Sequence, residues 1–141
     1  MPALNELYRG YSDRVAFYVV YIQEAHPTDA WQLKSNIKDN VLVATARTHD
    51  DRRAAAGSCV KNLGIEFPAL VDGTDDAVEI AYSGWPDRLY AIDREGRIAY
   101  KSGPGPFGFD TDELGAELKQ LVGEPVAPPA SEQTPPVTPA E

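Results

Sequence analysis

The sequence predicts an α/β fold built on a parallel sheet, and three observations carry that expectation. Val15–Ile22 is an almost unbroken apolar run of β-branched and aromatic residues, the pattern of a strand buried on both faces. Phe67–Asp72 reads as a further strand, separated from the first by a segment of helical periodicity. Leu89–Ile92 and Arg97–Lys101 then read as a hairpin, followed by a last amphipathic segment.

Each element has its own local reason. Pro2–Tyr11 places Leu4, Leu7 and Tyr8 on one face of a helix. Thr28 or Asp29 can cap a short helix through about Asn36, and Val41–Ala44 is a brief strand. Thr48 or Asp50 can cap a helix that runs to Leu63, with Ala55, Ala56, Cys59, Val60 and Leu63 as its apolar stripe and Gly64 as its stop. A short helix is expected over Asp75–Tyr82. In the hairpin, Asp93-Arg94-Glu95-Gly96 puts glycine where a positive φ is needed. Asp110 or Thr111 caps the final helix, whose Leu114, Leu118 and Leu121 are expected to face inward.

The chain has 141 residues, enough for one domain, and its 43% hydrophobic content suffices for a packed core. We expect that domain to span residues 1–123. From Glu124 the sequence turns to Pro, Ala, Ser, Thr and Glu, which cannot bury enough apolar area to offset ordering entropy, so 124–141 is expected to be a disordered tail. Thirteen basic against 22 acidic residues give a net charge of −9. Such a balance opposes nucleic acid and anionic membranes as partners and suits small or cationic ones. No apolar stretch approaches the length of a membrane span. The single cysteine, Cys59, permits no internal disulfide and no cysteine metal site, and the expected location is the reducing cytoplasm.

The most telling segment is Tyr21-Ile22-Gln23-Glu24-Ala25-His26-Pro27-Thr28-Asp29-Ala30-Trp31. It sets a carboxylate, an imidazole and an indole just past the end of a strand, where ligands sit in open parallel sheets. His26 titrates near neutrality and can donate or accept a proton; Trp31 can wall a pocket for an aromatic ligand. By spacing alone, a turn histidine satisfied by a carbonyl is the simpler account of His26. Cys59 lies on the apolar face of its helix, well past the N-terminus, where neither dipole nor cation lowers a thiol pKa. It reads as structural.

The pattern Tyr-Ile-x-Glu-Ala-His-x-x-Asp-x-Trp resembles the signature of the iodothyronine deiodinases and their prokaryotic relatives, which are thioredoxin-like selenocysteine or cysteine enzymes. The resemblance extends over Pro2–Val122 and includes Trp85-Pro86-Asp87-Arg88-Leu89-Tyr90 and the Gly103–Phe109 loop. It implies a thioredoxin-like fold and thiol-dependent reductive removal of halide from a phenolic, iodothyronine-like substrate. Catalytic roles fall by resemblance to His26, His49 and Glu24, and substrate-binding roles to Trp31, Pro86, Asp87 and Arg88. No bound cofactor and no metal are implied; a thiol reductant is the co-substrate, a small halogenated phenol the ligand, and a homodimer is compatible.

The basic residue that some members carry before Gly-Pro is replaced here by Pro104, which removes one route to recognising an amino-acid carboxylate. Aligned on Glu24-Ala25-His26, the family's selenocysteine or cysteine falls just ahead of Met1. The expectation is therefore a thioredoxin-like domain lacking its N-terminal strand and redox-motif loop, a shortened reading of a longer gene and inactive as this chain. A peroxiredoxin or thiol-disulfide reductase, and a non-catalytic binding protein, are the competing classes.

Overall fold

The computed structural model describes residues 1–25, 27 and 44–126. His26, Trp31, the helix expected from Thr28 to Asn36, the strand residues Val41–Val43 and the tail from Ala127 lie outside the described residues. The described elements run α1 (Pro2–Tyr11), β1 (Val19–Tyr21), α2 (His49–Leu63), β2 (Ala69–Val71), α3 (Ala77–Tyr82), β3 (Tyr90–Ile92), β4 (Ile98–Lys101) and α4 (Thr111–Val122). This is the expected α/β, thioredoxin-like arrangement.

Local chemistry explains the helix boundaries. Thr48 rather than Asp50 caps α2: its hydroxyl accepts the Asp51 amide at 3.1 Å, and the Asp51 carboxylate accepts the Thr48 amide at 2.9 Å. This reciprocal pair satisfies two amides that the helix itself leaves without partners. At the other end Gly64 adopts the left-handed conformation and its amide reaches back to the carbonyls of Lys61 and Val60. Asp110 caps α4, accepting from the amides of Asp112 and Glu113. In the hairpin turn Gly96 has φ +80°, which a side chain would resist.

β1 and β2 are parallel, with Val19 opposite Ala69 and Tyr21 opposite Val71. The Val19 amide donates to the Pro68 carbonyl at 3.0 Å, and the Asp72 amide to the Tyr21 carbonyl at 2.9 Å. Backbone groups alternate along a strand. Those of Tyr18, Val20 and Ile22 therefore point away from β2. β3 and β4 are antiparallel, with Ala91 opposite Tyr100; Leu89 accepts from Ser102 and Asp93 donates to Arg97. By the same alternation Tyr90 and Ile92 point away from β4.

These two free edges face each other. Among the described residues no backbone bond joins the two small sheets. Between them runs a cleft of ≈ 1290 Å³, lined on one side by the consecutive residues Val15–Val20, with Ile22, and on the other by Leu89–Glu95. Consecutive residues alternate between the two faces of a strand, so a cavity lined by all of them meets the strands edge-on. The predicted strand Val15–Ile22 is thus shorter than expected. Only Val19–Tyr21 has a ladder partner, because β2 offers three residues.

The core lies across one side of this cleft. Leu4 and Tyr11 of α1, Phe67 ahead of β2, Leu89 and Ala91 on the hairpin, and Leu114 and Leu118 of α4 form one cluster. Tyr11 is 2% exposed, the most deeply packed of them. Tyr8, Phe17 and Phe67 meet with ring centroids 5.7 to 5.9 Å apart, which clasps α1 against the chain on either side of the β1–β2 pair. Two apolar expectations are corrected. Leu63 and Leu121 are exposed among the described residues, each in the last turn of its helix.

Just beyond α4 the chain turns back over α1. The Arg14 guanidinium donates to the carbonyls of Val122 and Glu124, each at 2.7 Å, and the Val126 amide donates to the Gly10 carbonyl at 2.8 Å.

Candidate functional site

The cleft has a rim at the carboxyl end of β1. After α3, the turn through Gly84 leads into Trp85, Pro86, Asp87 and Arg88 and then into β3. A Cβ on Gly84 would lie 3.6 Å from the Ile22 side chain, so the entry to β3 sits directly beside the exit from β1. Gln23 donates to the Glu79 carboxylate at 2.6 Å and ties the same two segments together. The first residues of the chain entering β3 thus reach this rim. Pro86, Asp87 and Arg88 all line the cleft. The Trp85–Pro86 peptide is cis, and so is Gly105–Pro106.

A second loop completes the rim. Ser102 anchors it: its hydroxyl accepts the Leu89 amide at 2.9 Å and donates to the Gly103 carbonyl at 2.8 Å. The Gly105 amide then donates to the Asp87 carbonyl at 3.1 Å, and the Gly108 amide to the Pro104 carbonyl at 2.9 Å. The Asp87 carboxylate packs against Gly105 so closely that any Cβ there would collide with it. Glycine at 105 is what lets the two segments close. Phe107, at the tip, is 100% exposed.

Charge at the rim is unevenly spent. Arg88 directs its guanidinium to the Ser102 carbonyl at 3.3 Å, and its Nε is buried without a partner. Asp87 and Arg88 do not pair with each other. Burial pushes the Asp87 carboxyl above the ordinary aspartate range, and the hydrogen bond from Gly105 only partly offsets this.

A family model described as iodothyronine deiodinase matches residues 1–122. The chain belongs to that family. It is 30% identical over 122 residues to the type II iodothyronine deiodinase of Rattus norvegicus, covering 85% of this chain and 46% of that protein. To the type I enzyme of Xenopus laevis it is 31% identical over 116 residues, covering 82% and 44%. To the human type II enzyme it is 30% identical over 116 residues, covering 81% and 42%. The chain thus spans less than half the length of the curated relatives it matches.

The remaining family positions are spread more widely. His49 is exposed in the first turn of α2, outside the cleft lining. Glu24 lies just past β1, half-buried, and its charge acts on Cys59. His26 and Trp31 are outside the described residues. Cys59 is half-buried on α2; burial, then the Glu24 charge, push its thiol pKa up. Both effects disfavour the thiolate, so among the described residues the surroundings of Cys59 do not activate it as a nucleophile. Among the described residues no three His, Cys, Asp or Glu side chains group to hold a metal, and no helix is long and apolar enough to cross a membrane.

Sequence reasoning passed over two buried charges beneath this rim. Asp72, 2% exposed, accepts the amides of Gly73, Val78 and Glu79 at 2.8 to 3.0 Å and so holds the start of α3. Arg52, 4% exposed, donates to the Gly73 carbonyl and to Asp76, the latter at 2.7 Å, and ties α2 to the same loop. The signal for Asp72 was present: an aspartate at the end of a strand, followed by Gly-Thr-Asp, is a side chain placed to bind nearby amides. Arg52 had no comparable cue.

Proposed function

We propose that this chain is a deiodinase-like oxidoreductase, acting in the reductive dehalogenation of a phenolic, iodothyronine-like compound with a thiol as reductant. In the overall reaction a carbon–iodine bond breaks, a carbon–hydrogen bond forms, iodide leaves, and two thiols are oxidised to a disulfide. His26 is assigned the proton that reaches the ring carbon or the phenol oxygen, and Glu24 the orientation of that imidazole. Trp31, Pro86, Asp87 and Arg88 line the substrate pocket, and His49 is the second polar group offered to the substrate. A reducing cytoplasm is the setting in which the thiol co-substrate is available. The family match over residues 1–122 carries this reading. The raised Cys59 pKa favours it over a thiol-disulfide reductase built on that cysteine.

The test is thiol-dependent release of iodide from diiodophenols. It compares the 141-residue chain with a form extended ahead of Met1 that carries cysteine at the family position. Turnover by the extended form alone is the expected result. Turnover by the 141-residue chain that disappears in Cys59→Ser would overturn the proposal, as would no release by either form.

A further inference from the structure

The Asp87 carboxylate is the one acidic group at the rim whose placement is built and whose charge is unspent. Its seat is built because the absence of a side chain at Gly105 gives it room, while the Gly105 amide fixes the backbone beneath it. Its charge is unspent because, among the described residues, no cation pairs with it. The other carboxylates along the cleft are engaged: Glu79 with Gln23, Asp93 and Glu95 with Arg97. The neighbouring cation, Arg88, is turned onto the Ser102 carbonyl. Across from Asp87, the loop Gly103-Pro104-Gly105-Pro106-Phe107-Gly108 carries no basic side chain.

We propose that Asp87 is a specificity-determining residue: the rim takes halogenated phenols whose side chain ends in a protonated amine in preference to those ending in a carboxylate. This rests on the phenol-binding reading given above. A carboxylate on the edge of a mostly apolar cleft gains more from an ammonium partner than the same pair gains in open water, because fewer water dipoles screen it. The hydrogen bond to that ammonium is charge-assisted and short, which fixes the end of the ligand opposite its ring. A ligand carboxylate in the same place meets a like charge instead and is disfavoured. The aromatic body of the ligand lies toward the apolar lining, which Pro86 and Leu89 share with Asp87 on the same segment.

The experiment measures binding, by calorimetry or by NMR shifts of the 141-residue chain, of three probes. These are 3,5-diiodotyramine, 3-(3,5-diiodo-4-hydroxyphenyl)propionate and 2,6-diiodo-4-methylphenol. The amine is expected to bind roughly tenfold tighter than the propionate, with the neutral phenol between them. In Asp87→Asn the three should fall within about twofold of one another, while the aromatic circular-dichroism signal of the core is unchanged. Asp13→Asn, a surface carboxylate away from the cleft, should keep the preference. An unchanged preference in Asp87→Asn, or tighter binding of the propionate by the wild-type chain, overturns this proposal alone. Failure of all three phenols to bind overturns it together with the phenol-site reading.

Discussion

The amide of Gly105 donates to the carbonyl of Asp87 at 3.1 Å, and the Asp87 carboxylate fills the space that a side chain on Gly105 would need. Two loops distant in sequence are thereby locked into one rim. Gly105→Ala should force one of them to move, at a cost of about 1–3 kcal/mol. In Asp87→Ala the obstruction is gone, so the double variant should be less destabilised than the sum of the singles. Chemical denaturation of the four proteins in a double-mutant cycle checks this, and additivity would refute the contact.

Thr48→Ala removes the hydroxyl that accepts the Asp51 amide at the start of α2. The expected loss is about 1 kcal/mol in urea denaturation, with Thr48→Ser retaining most of the stability. Asp50→Ala should be close to neutral, since Asp50 plays no part in the cap. The reverse order would move the cap to Asp50.

Asp72 gives the chain an acid-sensitive joint. Burial alone would raise its pKa, but the amides of Glu79, Val78 and Gly73, with Arg52 nearby, hold it below the usual aspartate value. A carboxyl whose pKa is lower in the folded state stabilises the fold above its unfolded value, near about 3.9, and loses that contribution as pH falls through the folded value. Asp72→Ala should cost about 2–4 kcal/mol at neutral pH, by leaving three amides without their acceptor. It should also flatten the stability profile below about pH 4 relative to the parent. A variant that keeps the parent's acid slope would assign that slope elsewhere.

Cys59 should alkylate slowly. Its raised pKa leaves less thiolate at neutral pH than a free cysteine has, and the residue is partly buried. Iodoacetamide labelling of the folded chain is expected to run several-fold slower than of the urea-unfolded chain at the same pH. Equal rates would show that α2 does not shield the thiol.

Phe67→Ala, in contact with Tyr8 and Phe17, should cost about 3–5 kcal/mol, the range for a buried aromatic. Leu121→Ala should cost far less, because Leu121 is exposed. Thermal melts of the two variants side by side measure the difference.

Much of this could be read from the sequence where the cause is local. The end of α1 at Tyr11 was legible, because its apolar residues keep helical spacing up to that point. Gly64 and Gly96 were legible because glycine takes a positive φ most easily. The limits of β1 were not legible, since a strand ends where its partner ends, and that is set by a segment fifty residues away. The rim was half legible. Pro86, Asp87 and Arg88 were singled out, yet the seat for Asp87 depends on Gly105, which reads in the sequence as one more glycine in a flexible loop. Nothing local in the sequence marks Arg52, and only the fold brings the Gly73 carbonyl and Asp76 over it.

The facing edges of β1 and β3 also bear on how the molecule comes apart. With no ladder crossing the cleft among the described residues, the β1–α2–β2 half and the β3–β4–α4 half cohere through packed side chains and through the bonds Arg14 donates to the Val122 and Glu124 carbonyls. Side-chain contacts can loosen without unzipping a hydrogen-bonded sheet, so the halves form two cooperative units instead of one. Hydrogen exchange should show the amides of Val19 and Tyr21 opening with one free energy and that of Ala91 with another. Those of Val20 and Ile92, aimed into the cleft, should exchange far ahead of both.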